Sequence, residues 1–366
     1  MCLFVNVQKK IGTFQLQVQF ESQARRIGIL GVSGCGKSMT LKSIAGIETP
    51  DIGKIQVGNQ ILFSSAARIN VKPQKRRIGY LFQNYALFPT MTVSQNIAAG
   101  LKGSRQEKQE RVQEMIRKFR LEGLEEQFPE QLSGGQQQRT ALARIMAYEP
   151  EMLLLDEPFS ALDVLLKDRL QWEMMELLEE YRGTVILVSH SRDEIFRFSE
   201  ELLIMAQGKV ITYGKTKRIF ANPGTREAAR LTGCKNFSRI HRQDGHTALA
   251  RDWGISLHVE QEIPVGANYI GYRAHDFEPV WGKRRKNCIK VQVGGLSELP
   301  FERNYYLLPE RKGGEIPEWE KNRTKIAEDI SELVCWFVQK EKWSRLKEKG
   351  LPDYLELKEE YMMFLE

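Results

Sequence analysis

The chain has 366 residues, 42% of them hydrophobic and 28% charged, with a formal net charge of +7. That is ample for a buried core and fits two domains of about 100–200 residues each. No apolar run approaches the roughly 18 residues that span a bilayer, and the five cysteines include no Cys-x-x-Cys pair, so neither a membrane span nor a zinc or dithiol centre is indicated. The opening "MCLFVNVQKK" carries its basic residues after the apolar ones and does not read as a signal peptide. Scattered thiols in odd number fit a reducing compartment, so a cytoplasmic chain is expected.

The first informative element is the apolar run Ile27-Gly28-Ile29-Leu30, followed by "GVSGCGKS". Gly31, Gly36, Lys37 and Ser38 satisfy the pattern Gly-x-x-x-x-Gly-Lys-Ser. Glycines let backbone N–H groups turn inward around a β-phosphate, where side chains would collide. Lys37 is placed to reach the β- and γ-phosphates, and the Ser38 hydroxyl to ligate Mg²⁺. A helix over Lys37–Ala45 points its positive end at the anion, and Gly46 stops it. The predicted phosphate contacts are Gly31, Ser33, Gly34, Cys35, Gly36, Lys37, Ser38 and Met39. Cys35, inside the loop, predicts thiol sensitivity.

Residues 104–121 place Val112, Met115, Ile116 and Phe119 on one helix face, which reads as core. Leu132-Ser133-Gly134-Gly135-Gln136 then opens an amphipathic run. Ser133 is a good N-cap, and Gly134 and Gly135 expose backbone N–H groups, which makes a second phosphate-binding helix end without a lysine. One lysine loop and one extra phosphate end in a chain suggest two chains sharing nucleotides.

Twenty-three residues after Ser133, Asp156 and Glu157 close the apolar stretch 152–155. That stretch reads as a strand buried on both faces of a parallel sheet, where ligands gather at the C-terminal ends. Asp156 suits Mg²⁺ held through water, and Glu157 suits the orientation of an attacking water. Residues 163–181 read as a long helix, and "TVILVSH" as a buried strand closed by His190.

"LSGGQQQR" resembles the signature of ATP-binding cassette (ABC) ATPases, and other cassette elements follow in order. The resemblance implies an α/β P-loop NTPase cassette over residues 1–230, with a helical subdomain at 84–148. It implies that Gln83, 46 residues after Lys37, touches Mg²⁺ and the attacking water. Ser160-Ala161-Leu162-Asp163 is similar to the D-loop at the dimer interface. His190, 33 residues after Glu157, is similar to the switch histidine that contacts the γ-phosphate. Phe14 is the nearest aromatic for stacking on adenine, and is equally readable as a packed strand residue. The implied mechanism is a homodimer that sandwiches two ATP molecules with Mg²⁺, each between Lys37 of one chain and Ser133 of the other.

The segment "KRRIGYLFQNYALFPTMTVSQNI" resembles the importer type, and implies a groove near Tyr85, Leu87, Phe88 and Pro89 that receives a helix of an integral-membrane permease. A solute-binding protein, periplasmic or lipid-anchored, is implied indirectly. The implied location is peripheral, on the cytoplasmic face of the membrane. "AARLTGCKNF" and "GVSGCGKS" resemble ATP-binding subunits of molybdate importers, with sulfate, tungstate or another solute as alternatives. A soluble ABC ATPase acting on nucleic acid is the other class that the charge permits; one signature and no heptad array speak against it, so no nucleic acid is expected.

Residues 231–366 read as a smaller β-rich accessory or regulatory domain, with short stretches at 256–259, 269–272 and 289–293 between Gly, Pro and Asn turns. "NYIGYRAHDFEPV" resembles the barrel appended to importer cassettes, so a divergent oligonucleotide/oligosaccharide-binding-like barrel is the expected form. A dimer-stabilising role is expected of it ahead of an oxyanion sensor. Lys283, Arg284, Arg285 and Lys286 read as a solvated loop.

Overall fold

The computed structural model describes residues 2–160, 164–308 and 333–366. The chain divides into two compact units, Met1–Lys217 and Arg218–Glu366.

The first unit contains, in chain order, β1 (Leu3–Ile11), β2 (Phe14–Ser22), β3 (Arg26–Gly31), α1 (Lys37–Ala45), β4 (Ile52–Val57), β5 (Gln60–Ser64), β6 (Ile69–Asn70), β7 (Ile78–Leu81), α2 (Val93–Ala98), α3 (Arg105–Lys118), α4 (Gly134–Ala147), β8 (Met152–Asp156), α5 (Val164–Glu179), β9 (Thr184–Ser189), α6 (Arg192–Phe198), β10 (Glu201–Ala206) and β11 (Lys209–Lys215). Its strands form one sheet in the order β6-β5-β4-β1-β2-β11-β10-β3-β9-β8-β7. Two sequence patterns make its two halves. In β2, "FQLQVQFES" alternates apolar and polar, and from Leu16 on the strand alternates buried and exposed residues, as a half-solvated antiparallel strand does. In β8 and β9 every residue is buried, which only a sheet covered on both faces allows.

The parallel half, β10-β3-β9-β8-β7, positions the site. Register pairs Leu30 with Ser189, Asp156 with Val188 and Leu81 with Leu155. The C-terminal ends of four neighbouring strands therefore lie side by side, each releasing a different loop. Helices α2, α3 and α4 pack on one another within the expected helical segment. The stripe Val112, Met115, Ile116 and Phe119 is buried there, as its spacing predicts.

The second unit begins within α7 (Thr216–Ala221) and continues with α8 (Arg226–Leu231), β12 (Asn236–Arg242), β13 (Thr247–Ala250), β14 (Ile255–His258), β15 (Tyr269–Tyr272), β16 (Glu278–Val280), β17 (Cys288–Lys290), β18 (Val293–Glu298), β19 (Glu302–Leu307), β20 (Val334–Gln339), α9 (Trp343–Lys349), β21 (Tyr354–Glu356) and β22 (Met363–Leu365). The sequence reading divides the domains at 230/231, whereas α8 goes with the second unit. Ala229 packs with Cys234, Met363 and Leu365, and the Arg226 guanidinium stacks 4.8 Å from the Tyr269 ring centroid. The domain is β-rich as expected, and its described strands form three sheets, β14-β13-β12-β15-β22, β16-β21-β17 and β18-β19-β20. Strands of three to seven residues join around aromatic side chains, among them Trp253, Tyr272, Phe277 and Trp336. Lys283, Arg284, Arg285 and Lys286 are exposed in the loop before β17.

Candidate nucleotide site

The loop from β3 to α1 is shaped by two left-handed glycines, Gly34 (φ 78°) and Gly36 (φ 105°). A side chain at Gly36 would collide with Leu16 Cδ1 at 2.6 Å, so this turn admits only glycine. Left-handed glycines of this kind let a loop turn free N–H groups toward an anion at a helix N-terminus; here the Cys35 N–H donates within the loop to Val32 O at 3.3 Å. Ser33 and Gly34 are exposed at its rim, and Met39 packs partly buried against the core.

Lys37 is 4% exposed. Its ammonium donates to Gly31 O at 2.9 Å and to Val32 O at 3.1 Å, and lies 3.7 Å from Glu157 Oε1. Glu157 follows the end of β8 with φ 47°, a sparsely populated conformation for a side-chain-bearing residue. Its other oxygen, Oε2, lies 3.2 Å from His190 Nδ1, one residue past the end of β9. The carboxylate is thereby held between a buried cation and an exposed imidazole.

The Ser38 hydroxyl donates to Asp156 Oδ1 at 2.7 Å. The second oxygen of Asp156 accepts from Tyr80 OH at 2.8 Å. Tyr80 lies on β7, next to β8 in the sheet, and burial beside Asp156 pushes its phenol far above the ordinary range, so it stays a proton donor. Sequence reasoning missed Tyr80, whose signal in "GYLFQ" is only that of an apolar strand. Ser38 and Asp156 offer hard oxygen donors 2.7 Å apart beside the phosphate loop, a set that fits Mg²⁺, which binds through few protein oxygens.

Three further supports were missed. Arg76 donates to Ser43 O, Ile44 O, Val71 O and Asn70 Oδ1, and so covers the carbonyl end of α1; burial lowers its pKa to about 10. Glu194 on α6 is buried, accepts from Ser189 Oγ at 2.5 Å and from Gln171 Nε2 at 3.2 Å, and so fixes the strand end before His190. Asn96 on α2 bonds to Phe88 N, Phe88 O, Met91 O and Thr92 O, and shapes the segment after Gln83.

The remaining expected residues lie as follows. Gln83 is exposed in the turn after β7, and among the described residues no hydrogen bond joins it to Ser38 or Asp156. Ser133 caps α4: its hydroxyl accepts from Gln136 N at 3.3 Å, and Gln136 Oε1 accepts from Ser133 N at 2.7 Å. Gly135 faces Leu170, where a Cβ would come within 2.9 Å. Gly134 and Gly135 open α4 behind this cap, and among the described residues no hydrogen bond or ion pair joins the three to Lys37, Ser38, Asp156, Glu157 or His190. Phe14 opens β2 half-buried, with its ring edge 3.2 Å from where a Gly36 side chain would begin. Ser160 Oγ donates to Glu157 O at 2.9 Å, whereas Ala161, Leu162 and Asp163 of the expected D-loop lie outside the described residues. The thiol expectation is corrected: Cys35 is 3% exposed, turned toward Gly31, and burial raises its pKa.

The family model for ABC transporters matches residues 15–160. The Fe(3+) ions import ATP-binding protein FbpC of Haemophilus influenzae is 37% identical over 302 residues, 82% of this chain and 84% of the relative. The chain belongs to the ABC transporter ATP-binding subunits of the importer type. As a member of that family this cassette binds and hydrolyses ATP. A probable sulfate/thiosulfate import ATP-binding protein CysA of Chlorella vulgaris is 38% identical over 239 residues, 64% of this chain and 99% of the relative. Among solved structures, the ATP-binding cassette MJ0796 in a dimeric post-hydrolysis state bound to ADP and Pi matches with a TM-score of 0.50 at 29% identity, covering 59% of this chain and 99% of that one. These relatives are named for Fe(3+) and for sulfate/thiosulfate, so their names add nothing to the molybdate resemblance.

Proposed function

We propose that this cassette is the energy-coupling subunit of an importer, acting as a homodimer that sandwiches ATP on the cytoplasmic face of the membrane, bound to integral-membrane permease subunits. The observation that carries the reading is the convergence of Lys37, Ser38, Asp156, Glu157 and His190 on the ends of adjacent parallel strands, with Ser133–Gly135 presented elsewhere on the chain. Such a half-site needs a second signature end, and a second copy supplies it. Among the described residues no helix is long and apolar enough to cross a membrane.

In this reading Lys37 neutralises the β- and γ-phosphates, with loop N–H groups around them. Glu157 orients the attacking water and takes up its proton, and His190 holds the γ-phosphate side. Ser38 and Asp156 would hold Mg²⁺, which would supply charge neutralisation of the phosphates, and Gln83 stands in the turn after β7. Among oxyanions, sulfate or thiosulfate has better support than molybdate, because several similar proteins carry that name; relatives named for Fe(3+) and putrescine make a cation the alternative.

The test is copurification of the chain with the products of its genomic neighbours from solubilised membranes, with ATPase activity measured against sulfate, thiosulfate and molybdate. A permease in the complex, with activity that responds to one oxyanion, supports the reading and names the solute. A soluble homodimer that brings down nucleic acid in a salt-sensitive way overturns it.

A further inference from the structure

We infer that Arg144 is a positioning residue for hydrolysis, which holds the backbone behind Gln83 in a strained turn and ties that turn to the signature helix α4. The inference rests on the reading of Gln83 as a residue that meets Mg²⁺ and water.

Tyr85 (φ 60°) and Ala86 (φ 44°) are consecutive left-handed residues, and neither is glycine. Such a pair persists only where its surroundings over-determine it. Locally the turn is held through its N–H groups, with Tyr85 N–H donating to Phe82 O at 2.9 Å and Ala86 N–H to Asn84 O at 2.7 Å, and through the buried Tyr85 ring, whose hydroxyl has no hydrogen-bond partner; the two carbonyls are left for another element. The compensation comes from α4. Arg144 Nη1 donates to Ala86 O at 2.8 Å, and Nη2 donates to Tyr85 O at 3.0 Å. The same guanidinium lies 5.3 Å from the Phe88 ring centroid. One planar fork thus reads two successive carbonyls, a task a lysine cannot do with a single point charge. Asn96 fixes the segment from Phe88 to Thr92 beyond the turn, so Arg144 governs the stretch nearest Gln83.

The link has a direction. Helix α4 begins at the Ser133 cap and carries Arg144 in its last turn. A displacement of α4, whether from a nucleotide at Ser133 or from packing of the helical segment, moves the two carbonyls and with them Gln83. Loss of the fork lets both residues relax toward negative φ and frees Gln83 to wander.

The test uses the full chain and four variants: Arg144→Lys, Ala86→Gly, their combination, and Gln83→Ala, with kcat, KM for ATP and melting temperature measured for each. R144K is expected to lower kcat about tenfold, with KM changed by less than about twofold. Glycine occupies the left-handed region without strain, so A86G in the R144K background is expected to restore kcat by about threefold or more. Relief of strain by A86G also raises the melting temperature, so kcat is compared well below the melting temperature of every variant, where a fork that acts only through general stability leaves kcat at the parental value and nothing to rescue. R144K at the parental kcat, or a loss that A86G does not relieve, overturns the inference. Q83A at the parental rate overturns the underlying reading of Gln83 and the inference with it, whereas Q83A impaired without rescue in the other pair overturns the inference alone.

Discussion

Glu157 Oε2 lies 3.2 Å from His190 Nδ1, while Oε1 of the same carboxylate lies 3.7 Å from the Lys37 ammonium. His190 follows the end of β9, next to β8 in the sheet, and Lys37 opens α1 after the loop from β3, the next strand beyond β9. A carboxylate so placed is fixed in direction, which an orienting base requires before it can order a water.

Glu157→Gln keeps the shape and removes the negative charge. We expect turnover to fall about a hundredfold or more, with ATP still bound and the dimer accumulating in its presence. Phosphate release and size-exclusion chromatography with ATP check this. Full activity in the variant would remove Glu157 from the chemistry.

Tyr80→Phe deletes one hydroxyl. Asp156 Oδ2 then loses its donor in a buried position, and the carboxylate is free to turn away from Ser38. Outer partners of this kind set metal affinity, so the Mg²⁺ concentration for half-maximal ATPase is expected to rise about tenfold. Because the phenol pKa is displaced upward, the effect of Tyr80 does not change across neutral pH. A magnesium titration of the ATPase decides it, and an unchanged midpoint would leave Tyr80 as packing only.

What the sequence made legible follows how local the signal is. The α1 start at Lys37, the all-apolar strands before Asp156 and His190, and the Ser133 cap each rest on residues within a few positions of one another, and the structure places them as read. Tyr80 and Arg76 were not legible, because their partners lie 76 and 33 positions away along the chain and come near only through the strand order. The direction of the Cys35 side chain is hidden for the same reason. Toward the C-terminus the strands are short and weakly patterned, and Tyr269–Tyr272 pairs with both Asn236–Arg242 and Met363–Leu365. No local motif announces that arrangement, so the reading reaches a β-rich domain and not its strand order.

Cys35 should resist alkylation in the folded chain. Its thiol is buried, and a pKa raised by burial keeps the reactive thiolate scarcer at neutral pH than for an ordinary cysteine. The sign fixes the pH course: labelling stays slow through neutral pH and gains only as the pH climbs toward the raised value. Mass spectrometry after iodoacetamide, native against denatured, reads it out. Rapid native labelling of Cys35 with loss of ATPase would restore the thiol-sensitive reading.

Phe14 discriminates between a stacking platform and a packed strand residue. Its ring edge lies against Gly36 and Gly208, and it is only partly covered. An aromatic face beside the phosphate loop can stack on a base, and loss of one base–aromatic stack weakens binding about tenfold. Phe14→Ala is therefore expected to raise the ATP dissociation constant by that order, and Phe14→Trp to keep it near the parental value. Tripolyphosphate, which has no base, should bind the parent and Phe14→Ala alike. If Phe14→Ala instead lowers the melting temperature and leaves the ATP and tripolyphosphate constants unchanged, the ring is core, and the adenine-stacking role belongs to another side chain.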